Sequence, residues 1–564
     1  PSFSFGAAYA DLDNDGDLDL ITNNVDDPAG IYKNNSDNNY LQIKLKGSIT
    51  NSLAIGAKVY LINQDQSQLK QLHLTRGYKS SVTPIINFGL NDKDLATQVL
   101  VQWPDGKTSK LINVKANQLI TIDYNEATNE PLVLNKTTKL KKNLLPSSLG
   151  IDYTHIENDF NDYAVQLLIP QKQSTKGTGI TTGDVNGDGL EDFFVGNALG
   201  ANAALFIQNS NGNFTSTNKS LWKNERKYED ANALFFDADS DGDQDLYVVS
   251  AGYELDENSP LLQDRLYKND GKGNFSISKN TLPVMLTSSK SVIAGDYDGD
   301  GDLDLFIGGN VIPGKYPLSP KSYLLNNENG KFTDVTDANN TLSEAGMVSE
   351  AIFTDYDNDN DLDIMITGEW MAPTFYNNQN GIFEKDIIIS GLDNTEGWYF
   401  SVSAGDFDND GDQDYVLGNL GKNNKFHPSK DKPLYISAKD FDNNGSFDVA
   451  MSKINNGRIV PVRGKECSSE QNPFLLQKIQ TYKEFASYEM NDIYGEEELN
   501  DAFQLTAYNF KSIYLENIGD KSFKVKQLSN ESQMGPTLSI VSTDINDDGN
   551  LDIMGIGAIY DAEV

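Results

Sequence analysis

Asp296-Tyr-Asp-Gly-Asp-Gly-Asp-Leu-Asp304 places five carboxylates within nine residues, a density that no packed core tolerates without a compensating cation. Asp296, Asp298 and Asp300 alternate along the chain. Gly301 permits a sharp turn, the backbone carbonyl of Asp302 follows, and Asp304 brings a further carboxylate back to the start. Ligands at positions 1, 3, 5, 7 and 9, with a glycine at position 6, are the arrangement of a calcium loop of EF-hand type. The flanks are different from an EF-hand. Ser291-Val-Ile-Ala-Gly295 leads in and Leu305-Phe-Ile-Gly-Gly309 leads out, so the loop is expected to join two strands.

The pattern recurs, with starts at Asp11, Asp184, Asp237, Asp296, Asp355, Asp406, Asp440 and Asp544. From Asp184 to Asp406 the spacing is 51 to 59 residues, enough for about four strands, and such periods signal propellers or solenoids. Each unit is read as one blade of a calcium-loop β-propeller of about seven blades. The expected metal-ligand positions are as follows. The first loop uses Asp11, Asp13, Asp15, Asp17 and Asp19, and the second uses Asp184, Asn186, Asp188, Leu190 and Asp192. Next come Asp237, Asp239, Asp241, Asp243 and Asp245, then Asp296, Asp298, Asp300, Asp302 and Asp304. They are followed by Asp355, Asp357, Asp359, Asp361 and Asp363, and by Asp406, Asp408, Asp410, Asp412 and Asp414. The last two sets are Asp440, Asp442, Asn444, Ser446 and Asp448, and Asp544, Asn546, Asp548, Asn550 and Asp552. Position 7 enters through its backbone carbonyl, which is why Leu190 and Ser446 are acceptable there. Asn186, Asn444 and Asn546 keep an amide oxygen but lose a charge. Asn360 stands where the other loops have glycine, and asparagine tolerates the left-handed turn.

The formal net charge of −38 follows in large part from these loops, and eight bound Ca²⁺ would leave an acidic protein. No Lys/Arg patch offsets this acidity, so nucleic acid is not an expected partner. The single cysteine, Cys467, excludes an internal disulfide, and no apolar run is long enough for a transmembrane helix.

Residues 1–37 hold a lone loop and read as the remnant of a preceding propeller. Residues 38–124 alternate polar and apolar without a calcium loop, as a small β-sandwich would; 125–147 read as a linker, and 148–564 as the main propeller. The chain is expected to be incomplete at both ends. Within the propeller, Pro473–Phe485 and Glu496–Ala507 have helical spacing, predicting two helices inserted in one blade at about 470–510. The wider insertion, Arg458 to Phe510, is the candidate partner interface.

Ile55-Gly-Ala-Lys-Val59, Arg76-Gly-Tyr-Lys-Ser-Ser81, Phe88-Gly-Leu90, Val101-Gln-Trp-Pro-Asp-Gly-Lys107 and Asn113-Val-Lys-Ala-Asn-Gln118 resemble the ASPIC/UnbV domain. The acidic loops resemble FG-GAP/VCBS repeats, and the combination resembles the cartilage-acidic-protein-like group of surface proteins. The resemblance implies several bound Ca²⁺, a position outside the cell or on its surface, such as a bacterial outer-membrane exterior, and a glycan or protein partner or an outer-membrane-associated complex. The function expected is binding or scaffolding. The alternative is a calcium-dependent, lyase-like enzyme acting on an acidic polysaccharide, built from His155, Tyr163, Arg265, Arg463 and Lys465. Cys467 has no neighbouring His to activate it. Among the tryptophans, Trp103 is expected in a core and Trp222 is unassigned, whereas Trp370 and Trp398 are candidate sugar-stacking platforms.

Overall fold

The computed structural model describes residues 4–63, 66–75, 80–130, 132, 146–546 and 548–559. Arg76 to Lys79 of the resemblance and most of the expected linker lie outside the described residues. The chain divides into two compact units, Pro1–Lys142 and Asn143–Val564, and is all-β with few helices.

In the first unit, two sheets face each other across one core. One sheet orders Gln118–Asp123, Asn39–Lys46 and Ile85–Asn91; the other orders Gln66–Gln71, Lys58–Asn63, Leu95–Gln102 and Thr108–Lys115. The alternation in Leu41-Gln-Ile-Lys-Leu45 turns Leu41, Ile43 and Leu45 inward, against Val59, Leu61, Val99, Val101 and Trp103. Trp103 is therefore a core residue, with its indole N–H donating to Ser109. A third sheet, of Ser4–Ala10, Asp19–Asn24 and Gly30–Tyr32, carries the first acidic loop. Gly16 of that loop has φ +100° and lies on the ring of Tyr40, where a Cβ would come within 1.8 Å; only glycine fits.

The second unit contains six sheets that follow one another along the chain. Sheet A comprises Ile180–Gly183, Asp192–Val195, Ala204–Gln208 and Phe214–Thr217; sheet B, Glu229–Phe236, Asp245–Ala251, Arg265–Lys268 and Ser276–Ile277. Sheet C comprises Ser289–Gly295, Asp304–Gly309, Tyr323–Glu328 and Lys331–Asp334; sheet D, Met347–Thr354, Asp363–Met371, Thr374–Asn378 and Phe383–Lys385. Sheet E joins Ser401–Gly405 and Asp414–Gly418 to Ile513–Asn517 and Phe523–Gln527, and sheet F pairs Ser539–Thr543 with Asp552–Ile556. The first strand of each sheet packs on the first strand of the next, from A through F.

The acidic loop at Asp440 does not begin a member of this series. Its sheet, ordered Arg458–Pro461, Asp448–Asn455, Leu434–Lys439 and Phe503–Ala507, is nested between the second and third strands of sheet E. One face of the nested sheet, with Leu434, Ile436, Val449 and Met451, packs into a core shared with Trp370, Trp398 and Phe400. The other face, with Phe441 and Ala450, is covered by Leu475, Ile479, Phe485, Ile493, Tyr494 and Leu499 of the helical segment.

Those helices correct the expectation of two. The segment forms five short helices, Lys465–Gln471, Phe474–Lys478, Tyr482–Ser487, Met490–Tyr494 and Glu496–Asp501. Thr481 caps a new helix by accepting from the Glu484 N–H, which breaks the first periodic run. The second run ends at Ala502 because Phe503–Ala507 pairs as a strand with Leu434–Lys439. The two tryptophan platforms are also corrected: Trp370 and Trp398 are 3% and 0% exposed and pack edge to face at 5.2 Å inside the core. Large aromatic surface there is recruited to cover the nested sheet, not to meet a ligand.

Candidate metal centres

In all eight loops the first strand ends one residue before position 1, and the Asp at position 9 is the first residue of the second strand. The loop closes by a common set of hydrogen bonds. The carboxylate of position 1 accepts from the backbone N–H of position 6: Gly301 to Asp296 at 3.1 Å, Gly242 to Asp237 at 2.9 Å, Gly411 to Asp406 at 3.1 Å. Asn360 makes the same bond to Asp355 with φ +71°, as the tolerance of asparagine for this turn predicts. Position 5 accepts from the N–H of position 7, as Asp300 does from Asp302 at 3.0 Å and Asn444 from Ser446 at 2.7 Å. Position 9 turns one oxygen to the third strand of its sheet: Asp245, Asp304, Asp363 and Asp414 each accept a backbone N–H at 2.8 Å, from Asn269, Asn327, Asn378 and Asn517.

These bonds consume the outward oxygens and leave others without a partner. Asp239 Oδ1, Asp243 Oδ1 and Asp245 Oδ2 in one loop, and Asp357 Oδ1, Asp361 Oδ1 and Asp363 Oδ2 in another, are buried and accept no hydrogen bond. Carboxylate oxygens of Asp11, Asp13 and Asp15 lie within 4.8 Å of one another, as do those of Asp237, Asp239 and Asp241, of Asp296, Asp298 and Asp300, of Asp355, Asp357 and Asp359, and of Asp406, Asp408 and Asp414. Burial pushes the position 9 carboxyls up, Asp245 to about 6, Asp304 and Asp448 to about 7, and Asp363 to about 8, with neighbouring loop carboxylates adding to the shift. Converging all-oxygen donors of this kind, half-buried to exposed at positions 1, 3 and 5 and buried at position 9 in most copies, fit a hard divalent cation such as Ca²⁺, which would be held by positions 1, 3, 5 and 9 and the carbonyl of position 7. Bound there, the ion would supply the charge that lets the carboxylates stay ionised together.

A second motif accompanies the loops and was not singled out from the sequence. Tyr32-Lys-Asn34, Tyr267-Lys-Asn269, Leu325-Asn-Asn327, Tyr376-Asn-Asn378 and Leu515-Glu-Asn517 all close the third strand. The asparagine side chain reaches back to the preceding sheet: Asn269 donates to Val185 O at 2.7 Å, Asn327 to Ala238 O at 2.9 Å, Asn378 to Tyr297 O at 2.8 Å and Asn517 to Tyr356 O at 3.0 Å. Each accepting carbonyl is position 2 of the previous loop. The middle residue faces position 3 of its own loop, with Lys33 on Asp13, Lys268 on Asp239, Asn326 on Asp298 at 2.9 Å and Asn377 on Asp357 at 2.9 Å. Adjacent loops also touch, Ser240 donating to Asp302 at 3.0 Å and Asn358 to Asp412 at 2.8 Å. The recurrence of aromatic or Leu, any residue, Asn was the available signal.

A family model described as ASPIC and UnbV matches residues 47–129, and one described as FG-GAP-like repeat matches 184–248, 237–307 and 355–417. The chain joins an ASPIC and UnbV region to FG-GAP-like repeats. It is 32% identical over 127 residues to cartilage acidic protein 1 of Xenopus tropicalis and 34% identical over 127 residues to that of Homo sapiens. The match spans 21% of this chain and 19% of the length of each relative. The crystal structure of the V. cholerae biofilm matrix protein Bap1 is similar at 12% identity with a TM-score of 0.27, over 67% of this chain and 77% of that one. That of an ancestral GH74 enzyme is similar at 10% identity with a TM-score of 0.21, over 99% and 73%.

The candidate catalytic residues are engaged elsewhere. Arg265, in the third strand of sheet B, is 5% exposed and its guanidinium donates to Asp230 at 2.5 Å, with its face over the Tyr228 ring. His155 Nε2 lies 2.7 Å from Glu157. Lys465 rests over the ring of Tyr482, and Cys467 sits half-buried in the same helix as Lys465. Tyr163 and Val462 pack against the core under the nested sheet.

Proposed function

We propose that this protein is a calcium-stabilised binding or scaffold protein acting outside the cell or at its surface, such as a bacterial outer-membrane exterior. In this reading sheets A to F are blades of a propeller, the nested sheet is an added blade-like module, and a glycan or surface protein is the partner. The observation that carries the reading is the repeated acidic loop, four copies of which hold buried carboxylate oxygens without a hydrogen-bond donor, in a series of sheets joined by the same asparagine bridge. FG-GAP-like repeats support it. Extracellular modules bind calcium at about 10⁻⁴–10⁻³ M, so loops of this kind suit calcium-rich exterior fluid. The test is thermal melting with calcium and with chelator. A cation that binds only the folded state stabilises it by mass action, so the calcium-loaded protein is expected to melt higher; identical melting curves would overturn the reading.

A further inference from the structure

The first strands of sheets A to F run from a common cavity at one end to the acidic loops at the other. Ile180, Asn232, Lys290, Ser349, Phe400 and Ser539, each at or just ahead of the start of a first strand or within its first residues, line this cavity of about 380 Å³. That is the size of a small-molecule site. First strands of 4 to 8 residues, at about 3.3 Å per residue, separate it from the loops by roughly 13–26 Å. The rim is open to solvent at Thr175, Gly177 and Ile180.

Its walls carry unanswered polar groups. Ser349 is 3% exposed and its hydroxyl has no partner. Among the described residues the Lys290 ammonium makes no hydrogen bond or ion pair; the Phe400 ring lies 6.0 Å away, and Lys176, Glu369 and Glu350 act on it through space. Lys176, by contrast, is paired with Glu369, which is 1% exposed and also accepts from Gln171 and Tyr316 at 3.2 Å. Glu350 faces the same cavity. Burial, and then repulsion from Lys176, lower Lys290 to about 8, while burial raises Glu350 to about 7 against the pull of Lys290.

We propose that this cavity binds a small hydroxylated monocarboxylate, of the class of a hexuronate sugar, with the ligand carboxylate on Lys290 and its hydroxyls on Ser349 and Glu350. A single negative charge answers the one lysine left without a partner. A dianion such as phosphate would be repelled by Glu350 and Glu369, and a neutral sugar would leave Lys290 unanswered. The hydroxyls matter because the buried Ser349 hydroxyl otherwise has no partner. The site deepens the binding reading above and rests on it, but it lies at the strand ends remote from the loops. Calcium-dependent melting and ligand binding are therefore separately readable.

The test is calorimetric titration of the full, calcium-loaded chain with D-glucuronate, D-glucose, acetate and inorganic phosphate at pH 7. Glucuronate is expected to bind at least tenfold more tightly than each of the others. Lys290→Met should weaken glucuronate at least tenfold and Ser349→Ala several-fold, while Lys315→Met, whose lysine pairs with Glu257 elsewhere, should change nothing. Melting curves establish that each variant is folded. Should Lys290→Met not fold, pH supplies the same information: Lys176, Glu350 and Glu369 face Lys290, Glu350 gives up its proton near 7 and Lys290 near 8, and both losses oppose a bound carboxylate, so affinity should fall several-fold between pH 7 and 9. Equal binding of glucuronate and glucose, equal binding of glucuronate and acetate, tighter binding of phosphate, undiminished affinity in a folded Lys290→Met, or a flat profile to pH 9 would each overturn the proposal.

Discussion

Asn327→Ala tests the bridge between sheets B and C, independently of any metal. Asn327 is 1% exposed, and its side chain donates to Ala238 O at 2.9 Å and Leu303 O at 3.0 Å while accepting from the Gly330 N–H at 2.8 Å. Truncation leaves all three backbone groups without that partner in a region from which water is largely excluded. Each such group costs about 1–3 kcal/mol, and partial access of water to Leu303 brings the expected sum to about 3–5 kcal/mol. The backbone bond from Asn327 N to Asp304 survives, so the loss is confined to the bridge. Asn327→Asp should be no better, because it removes both donors and adds a charge beside Asp304. The neighbouring Asn326 faces Asp298 at the surface, and its alanine variant should cost under about 1 kcal/mol in saturating calcium. Urea unfolding in saturating calcium measures all three. A loss below about 1 kcal/mol for Asn327→Ala, or rescue by Asn327→Asp, would refute the account of how consecutive sheets are joined.

Asp300→Ala should destabilise the calcium-loaded protein more than Asn444→Ala, since it removes a charged oxygen from a complete loop; melting with and without chelator should show the difference vanishing when calcium is withdrawn. Lys268 lies on Asp239 and competes with a cation there, so Lys268→Ala should raise the calcium affinity of the Asp237 loop about fivefold, a ~1 kcal/mol effect after discounting for an exposed lysine; isothermal titration decides it. In the calcium-free protein, Asp304, Asp448 and Asp363 hold protons to about 7, 7 and 8, above the ordinary carboxylate value of 3.8 that they recover on unfolding. A raised folded-state value means that their contribution to stability is complete below about pH 4 and is lost as pH rises through 7 to 8. The chelated protein should therefore melt lower at pH 8 than at pH 5, and saturating calcium should reduce or reverse that trend by displacing the protons; a chelated protein more stable at pH 8 would contradict the burial of these groups.

The loops were legible because calcium ligation forces a fixed residue type at fixed spacing, and the spacing survives in a single chain without any comparison. Each loop also predicted its own strands, since Asp at position 9 must begin a strand for its second oxygen to meet the third strand of the sheet. The third strand itself was less legible: Asn327 and its counterparts look like ordinary turn residues until their side chains are seen to reach the loop of the preceding sheet. A contact between elements some ninety residues apart leaves no local periodicity, only a recurrent tripeptide.

The nesting of the Asp440 sheet was hidden for a related reason. Its loop satisfies the same ligand pattern as the others, so the pattern assigns it to the same series, although the chain returns to sheet E only at Ile513. What separates it is the shortened step from Asp406 to Asp440, too short for the third and fourth strands of sheet E to have been made. Those strands had to come later, and both faces of a sheet lying outside the series had to be covered. Trp370 and Trp398 serve one face and the five short helices serve the other, which explains why the two tryptophans that suggest ligand platforms in sequence are buried in structure. Deleting the helices would therefore expose Phe441 and Ala450 and destabilise the nested sheet itself. A partner lost by that deletion would be no proof of an interface, whereas the cavity lined by Lys290 and Ser349 can be altered one side chain at a time.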